Sequence, residues 1–396
     1  MGLFKGNPTF TRYKVSGDSQ VRRAFTAGMV DHAFQEIDAG PEEISVGWVQ
    51  PNDMFNNDVD YAICCQEPYI LLGLRIDQRK VKASVLKKEH RRAIKDYLLK
   101  RDVMTFDDAE ARKQAAKPLD KATLDSLKEQ ARQKLLMRLP SEPTVVDVIW
   151  DTQGGHLWVG TQSEKLLSLF EDKFRLTFGL QPEPTLLYLL AWDALESDHH
   201  RDRLAELFNV QPALSRDMIS LTSARAASLQ LGHEYLSWLW YMADTADEAD
   251  IIGLGRAKVA MGSALRLAHP VHTSEPKVAI NSDKDEPLTR ETLAEAFQAL
   301  RAGKRPTMMS FSLEVGDFSC LASLQAGATG LSGLSMSWPR LAKGDDWWSL
   351  ALERISLIDK SLGVVDGLLK AFLTDYCEEG GSSRMRETLS DWAEEG

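Results

Sequence analysis

The period of apolar and polar positions changes several times along the chain. Residues 10–15, 44–49, 61–65 and 69–76 form short apolar or alternating runs, which predicts strands, with 66–68 as a turn between the last two. Asp18 or Ser19 caps a predicted helix whose face is Val21, Ala24, Phe25, Gly28, Met29 and His32, and Gly40-Pro41 stops it. Residues 145–150 and 156–160 make the clearest hairpin, turning at Gln153-Gly154-Gly155. Behind Ser163, helical spacing of Leu166, Leu169, Phe170, Phe174 and Phe178 predicts a helix over 164–178. Residues 186–246 read as mostly helical, with the aromatic run 235–241 as core. Strands follow at 257–267 and 278–281, a helix over 289–302 stopped by Gly303, and strands at 308–315, 318–324 and 331–335. A long amphipathic helix spans 347–376, with Ile355, Ile358, Leu362, Val365, Leu369 and Phe372 on its apolar face, and 378–396 reads as a loose acidic tail. Hairpins with helices, twice over, predict an α+β fold of antiparallel sheets with packed helices rather than alternating βαβ units.

Two stretches, 84–101 and 121–138, have helical character but few apolar positions: Val85, Ile94 and Leu98 in one, Leu124, Leu127 and Leu135 in the other. A polar connection, 104–118, joins them. Charge sharpens the picture here. The whole chain carries a formal −11, which by itself argues against nucleic acid as a partner. Residues 79–138, however, hold 18 Lys/Arg against 9 Asp/Glu, while the other 336 residues hold 29 against 49. One basic segment therefore sits in an otherwise acidic protein. It reads either as two solvated surface helices or as a surface that follows phosphates. On the second reading the contacts are Lys82, Lys87, Lys88, Arg91, Arg92, Lys95, Lys121, Lys128, Arg132 and Lys134. The segment has few aromatics, chiefly Tyr97 and Phe106, so backbone contacts to duplex are favoured over base stacking.

With 396 residues, 43% hydrophobic and 27% charged, the chain fits two or three compact soluble units. The pattern divides it into an α+β region (1–78), the basic helices (79–140), a hairpin-helix unit (141–180), a mostly helical region (181–285), a second α+β region (286–377) and the tail (378–396). Cys64, Cys65, Cys320 and Cys377 form no CxxC pair, which predicts reduced thiols and a cytoplasmic protein. Neither a secretory signal nor a membrane span is expected. Gly253-Leu254-Gly255 lacks the third glycine of a dinucleotide loop, and His199-His200 and His269…His272 lack partner ligands, so no cofactor or metal is expected. Asp151 followed by Glu171-Asp172-Lys173 is a crude D…ExK pattern, with Asp147 as a second carboxylate. Glu171 and Lys173 fall on a predicted helix, two positions apart, where they point in different directions. A binding protein without catalytic residues is the primary reading, and a metal-dependent DNA exonuclease the alternative.

Several elements in fixed order resemble the RdgC family of recombination-associated proteins. They are Phe4-Lys5 before a strand centred on Tyr13, then Gly47-Trp48-Val49-Gln50-Pro51, then Val85-Leu86-Lys87 and the basic stretch ending at Leu136-Met137-Arg138-Leu139-Pro140. Trp150-Asp151-Thr152, Gly155-His156-Leu157 and Thr161-Gln162-Ser163 follow, then a helix-Ala-Gly-Lys-strand unit over 288–313 and a closing helix over 351–372. The resemblance covers about 1–180 and 285–375, and the chain is longer than familiar members around 181–285. It implies an α+β fold, a ring-shaped homodimer, sequence-independent binding of double-stranded DNA through a positive central hole, antagonism to the RecA recombinase, and association with the nucleoid. It supplies no catalytic residues.

Overall fold

A computed structural model describes residues 2–16, 28–38, 40–104, 119–245, 248–251, 254–272, 274–283, 286–340 and 346–396. In chain order the first elements are β1 (Thr11–Val15), β2 (Ile44–Val49), α1 (Tyr61–Cys64), β3 (Cys65–Gln66), β4 (Tyr69–Gln78), α2 (Ala83–Met104), α3 (Lys121–Leu136), β5 (Glu142–Asp151), β6 (His156–Val159), α4 (Glu164–Phe178) and β7 (Pro182–Pro184). Then come α5 (Leu187–Ala194), α6 (Asp198–Leu207), α7 (Leu221–Thr245), β8 (Glu248–Ile251), β9 (Gly255–Ala268), β10 (Val278–Asn281), α8 (Ala294–Arg301), β11 (Arg305–Val315), β12 (Phe318–Gln325), β13 (Ser332–Ser335), α9 (Trp347–Cys377) and α10 (Gly381–Glu395). The fold is α+β with open antiparallel sheets. The chain divides into two units, each drawn from separated segments, and the divisions cut through two of the expected stretches, 1–78 and 141–180. One comprises Met1–Gly17, Asp147–Leu167 and Leu180–Gly396; the other comprises Asp18–Val146 and Ser168–Gly179. Of the helix expected after Asp18, 28–32 is helical and 17–27 lies outside the described residues, as does the connection 105–118.

In the unit containing the basic segment, β2 pairs antiparallel with β4, from Ile44↔Gln78 to Val49↔Gly73. Gly47 is required on β2, because a Cβ there would lie 2.3 Å from the Phe34 Cα. Its neighbour Trp48 is fully buried against Phe170 and Phe178, and its indole N–H donates to Thr177 Oγ1 at 2.8 Å. Strand β4 is buried almost throughout, yet it carries Arg75 and Asp77. Their side chains pair through two 2.8 Å hydrogen bonds while the guanidinium lies 4.1 Å from the Phe34 ring. Arg79, the first residue of the basic segment, is also buried. It donates to the carbonyls of Gly40 (2.6 Å) and Ile37 (2.7 Å), and so holds a loop rather than facing solvent. The strand expected over 61–65 is a single helical turn instead. Asp60 accepts a 2.7 Å hydrogen bond from Ala62 N and caps that turn, leaving only Cys65 and Gln66 to pair with β4.

In the other unit, β1 lies between β6 and β7, and the end of β5 pairs with β6 from Val148↔Val159 to Asp151↔His156. The hairpin turn expected at 153–155 forms. Asp151 Oδ1 accepts from Gln153 N and Gly154 N at 3.0 Å each, and Gly155 takes φ +65°. A second sheet runs β10-β9-β11-β12-β13, with β8 also on β9. The long helices α7 and α9 bring their aromatic residues together in this unit: Tyr235 and Trp238 lie 5.5 and 5.6 Å from Phe372. The expected loose tail is a helix. Met385, Leu389, Trp392 and Ala393 recur at helical spacing within the acidic sequence. Trp392 is buried against Trp240 and Phe297, with its indole N–H on Asp244 Oδ2 at 2.8 Å. Cys64, Cys320 and Cys377 are buried free thiols, pushed up to about 12, 11 and 12 by burial. Among the described residues, no helix is long and apolar enough to cross a membrane.

Candidate nucleic-acid interface

The sequence of α2 explains why it stays on the surface. Over 83–100 it offers Val85, Leu86, Ala93, Ile94, Leu98 and Leu99 among nine charged or His side chains, and none of its residues there is buried. Its neighbour α3 is capped by Asp120, whose carboxylate accepts from Thr123 N at 3.0 Å, and buries Leu127, Ala131 and Leu136. The two helices meet along one seam. His90 Nε2 lies 3.0 Å from Leu124 O, and further on Tyr97 and Lys100 share a groove with Ala131 and Lys134. These contacts advance together along both helices, so the two run side by side in the same direction.

On α2 the structure brings five of the candidate cations together. At 3.6 residues per turn, Lys87, Arg91 and Lys95 stack above one another and Lys88 and Arg92 flank them, an arc of about 140°. All five are exposed, and they lie opposite the seam with α3 apart from Arg92, which reaches the groove edge. No carboxylate between Lys87 and Lys95 falls inside the arc; Glu89 and Asp96 turn toward α3. Lys82 is exposed just before the helix, and its carbonyl accepts from Val85 N and Leu86 N at 3.0 Å each. From Lys87 to Lys95 the arc covers about 12 Å of helix axis. At about 3.4 Å per phosphate along one strand, that length matches three or four phosphates.

The candidates on α3 are less uniform. Lys121, Lys128 and Arg132 share one stripe, but Asp125 and Glu129 lie beside it. Arg132 is engaged already: its Nε and Nη2 donate to Glu43 Oε1 and Oε2 at 2.7 and 2.5 Å. Lys134 is exposed on a different face and lines the groove. The stripe on α3 is thus nearly balanced in charge, and the positive surface belongs to α2. Lys100, which the charge count includes but the contact set does not, joins Lys134 at the groove. Its signal was the helical i, i+3 spacing from Tyr97.

Two of the carboxylates weighed for a nuclease, Asp147 and Asp151, serve the local structure. Asp147 is buried, and burial lifts its carboxyl to about 6, opposed by the backbone N–H groups of Phe4 and Leu3 and the charge of Lys5. It accepts from Phe4 N at 3.4 Å, and with Arg354, which donates to the carbonyls of Leu3 (3.0 Å) and Gly6 (2.8 Å), it fixes the segment before β1. Asp151 holds the hairpin turn. Lys173 is half-buried on α4, and burial lowers its ammonium pKa. Among the described residues, no group of three or more His, Cys, Asp or Glu side chains is placed to hold a metal ion. No protein-family model matches the chain and no curated protein matches it, so the resemblance to RdgC proteins rests on the residues that carry it in the sequence.

Proposed function

We propose that this chain binds double-stranded DNA without sequence preference through the basic arc of α2, and acts in or restrains recombination as a binding protein rather than an enzyme. The observation that carries the reading is the arc itself. Lys87, Lys88, Arg91, Arg92 and Lys95 stand exposed on one side of a helix that buries no residue over 83–100, in a protein that is otherwise acidic. An acidic remainder repels phosphate elsewhere and confines it to this side. The cations face phosphate oxygens, which carry no sequence information, so every duplex is an equal partner. The RdgC resemblance adds the biological setting, with RecA antagonism in the nucleoid, and a homodimer closed around DNA. Three or four phosphates per helix is a small contact set, and a two-fold pair of arcs doubles it.

Fluorescence anisotropy with two unrelated duplexes, titrated with salt, tests the reading. Equal affinities are expected, with a log–log salt slope of about −3 if one arc is engaged and about −6 to −7 if two are. Reversing Lys87, Lys88, Arg91 and Arg92 to Glu removes binding to both sequences alike. Unchanged affinity in a folded quadruple variant, or no salt dependence, sinks the proposal. A monomeric mass by light scattering removes the dimer, and equal dissociation from linear and closed circular duplex removes the ring.

A further inference from the structure

The seam between α2 and α3 is not filled. Ala93, Leu127 and Ala131 line it, and the two short alanine side chains leave a groove of about 290 Å³. That is room for roughly ten waters' share of liquid volume, enough for one planar base. Tyr97 forms one wall and keeps 40% of its surface exposed. An exposed aromatic in a helix–helix seam is unusual where packing closer would bury it. Three cations also line the groove, Arg92 and Lys100 from α2 and Lys134 from α3; Arg92 pairs with Glu89 at 3.9 Å, and Asp96 and Gln130 supply an acceptor and an amide. The groove thus combines an aromatic face, cations on the rim and a few hydrogen-bonding groups. That is the chemistry of a single-stranded nucleotide, with a base to stack, a backbone to neutralise and exocyclic groups to pair. A duplex cannot use it, because its bases are stacked on one another.

We infer that the α2–α3 groove takes an unpaired base against Tyr97, so that the protein prefers DNA in which duplex adjoins a single strand. This rests on the proposed DNA-binding role of α2 and extends it. The solvent-facing arc follows the backbone of the duplex, and the groove, around the side of the same helix, receives the first unpaired base. Arg92 stands between the two surfaces and serves both. An apolar protein segment is a poorer occupant, since it would cover Lys100, Lys134 and Asp96 without pairing them.

The test uses the full chain with a blunt duplex and the same duplex carrying a short single-stranded overhang that contains 2-aminopurine. Wild-type protein is expected to bind the overhang duplex more tightly and to quench the 2-aminopurine. Tyr97→Leu lowers affinity for the overhang duplex by about 5- to 150-fold, the range covered by one lost base stack, and leaves the blunt duplex unchanged. Tyr97→Phe keeps the preference because it keeps the ring. Ala93→Leu fills the groove without touching a charge and removes preference and quenching together. Equal binding of both substrates by wild type, or an equal loss on both in Tyr97→Leu, overturns the inference while the α2 reading stands. Binding of neither substrate overturns both.

Discussion

The α2–α3 pair and the α7–α9 pair are both built from long helices, but their sequences solve different problems. Helix α7 buries 13 of its 25 residues and α9 buries 14 of 31, including Tyr235, Trp240, Phe372 and Tyr376. The two buried tyrosine hydroxyls are hydrogen-bonded: Tyr235 Oη donates to Val365 O at 3.1 Å, and Arg386 donates to Tyr376 Oη at 2.9 Å. Over 83–100, α2 buries nothing, and α3 buries three side chains. A helix that is polar nearly all round gains little from folding alone. Over 83–100 this helix presents most of its charged side chains, the cations among them, to solvent. The comparison teaches that apolar content decides which helices hold the fold, and charge distribution along the others marks which surface is available to a partner.

The largest effect that separates the two regions is the cost of losing one side chain. Trp240 is fully exposed to no solvent and packs 4.9 Å from Phe297 and 5.1 Å from Trp392. Trp240→Ala is expected to cost about 3–5 kcal/mol, read as a shift of the urea midpoint. Ile94→Ala on α2 should cost a small fraction of that, because Ile94 is only half-buried. Comparable costs would mean that α2 is docked as firmly as α7, and would break the comparison.

A smaller effect comes from the buried carboxyl. Asp147 has a folded value of about 6, above the ~3.9 of an unfolded chain. The folded state therefore holds this proton more tightly. Below about pH 4 the group costs the fold nothing; the cost grows as pH rises and is complete above about 6, amounting to roughly 3 kcal/mol. Asp147→Asn cannot ionise, so its stability relative to wild type should climb between pH 4 and 6 and then level off, with any packing change appearing as a constant offset. Urea midpoints that run parallel for the two proteins across that window would show that Asp147 does not titrate there.

Much of the fold was legible in the residues. The strand at 44–49 and the helix over 164–178 lie where the pattern places them: the helix buries one face through Phe170, Phe174 and Phe178, and the strand ends in the buried run Gly47-Trp48-Val49. The strands at 257–267 and 278–281 were also readable. The turn at 61–64 was not, since its apolar residues look like a strand and only the Asp60 cap decides otherwise. The final helix was obscured by its charge: four apolar positions among acidic neighbours read as a tail until Trp240 and Phe297 supply a surface for Trp392. In the candidate site, the five-cation arc was legible because it is local to one helix. The partner of Arg132 was not, because Glu43 lies 89 positions away. Nor was the groove, which depends on how closely two helices approach at Ala93 and Ala131.

The smallest predicted effect sharpens the comparison within the arm itself. Arg132 and Lys88 both belong to the basic segment, but their donors are placed differently. Arg132 is forked onto Glu43 through two hydrogen bonds, whereas Lys88 is exposed on the arc. A guanidinium whose donors already meet a carboxylate releases no counterion on binding DNA, because its charge is compensated beforehand. Lys88→Gln should therefore lower the magnitude of the salt slope by about one, while Arg132→Gln leaves it nearly unchanged. The partner gives the converse. Glu43→Gln frees the Arg132 fork, removes a negative charge beside it, and should raise the slope by up to about one, with tighter binding at low salt. The pair itself is solvent-exposed and screened, so its loss should barely move the urea midpoint. If Arg132→Gln weakens DNA binding as much as Lys88→Gln does, Arg132 leaves Glu43 for phosphate in the complex, and the contact surface extends from α2 onto α3.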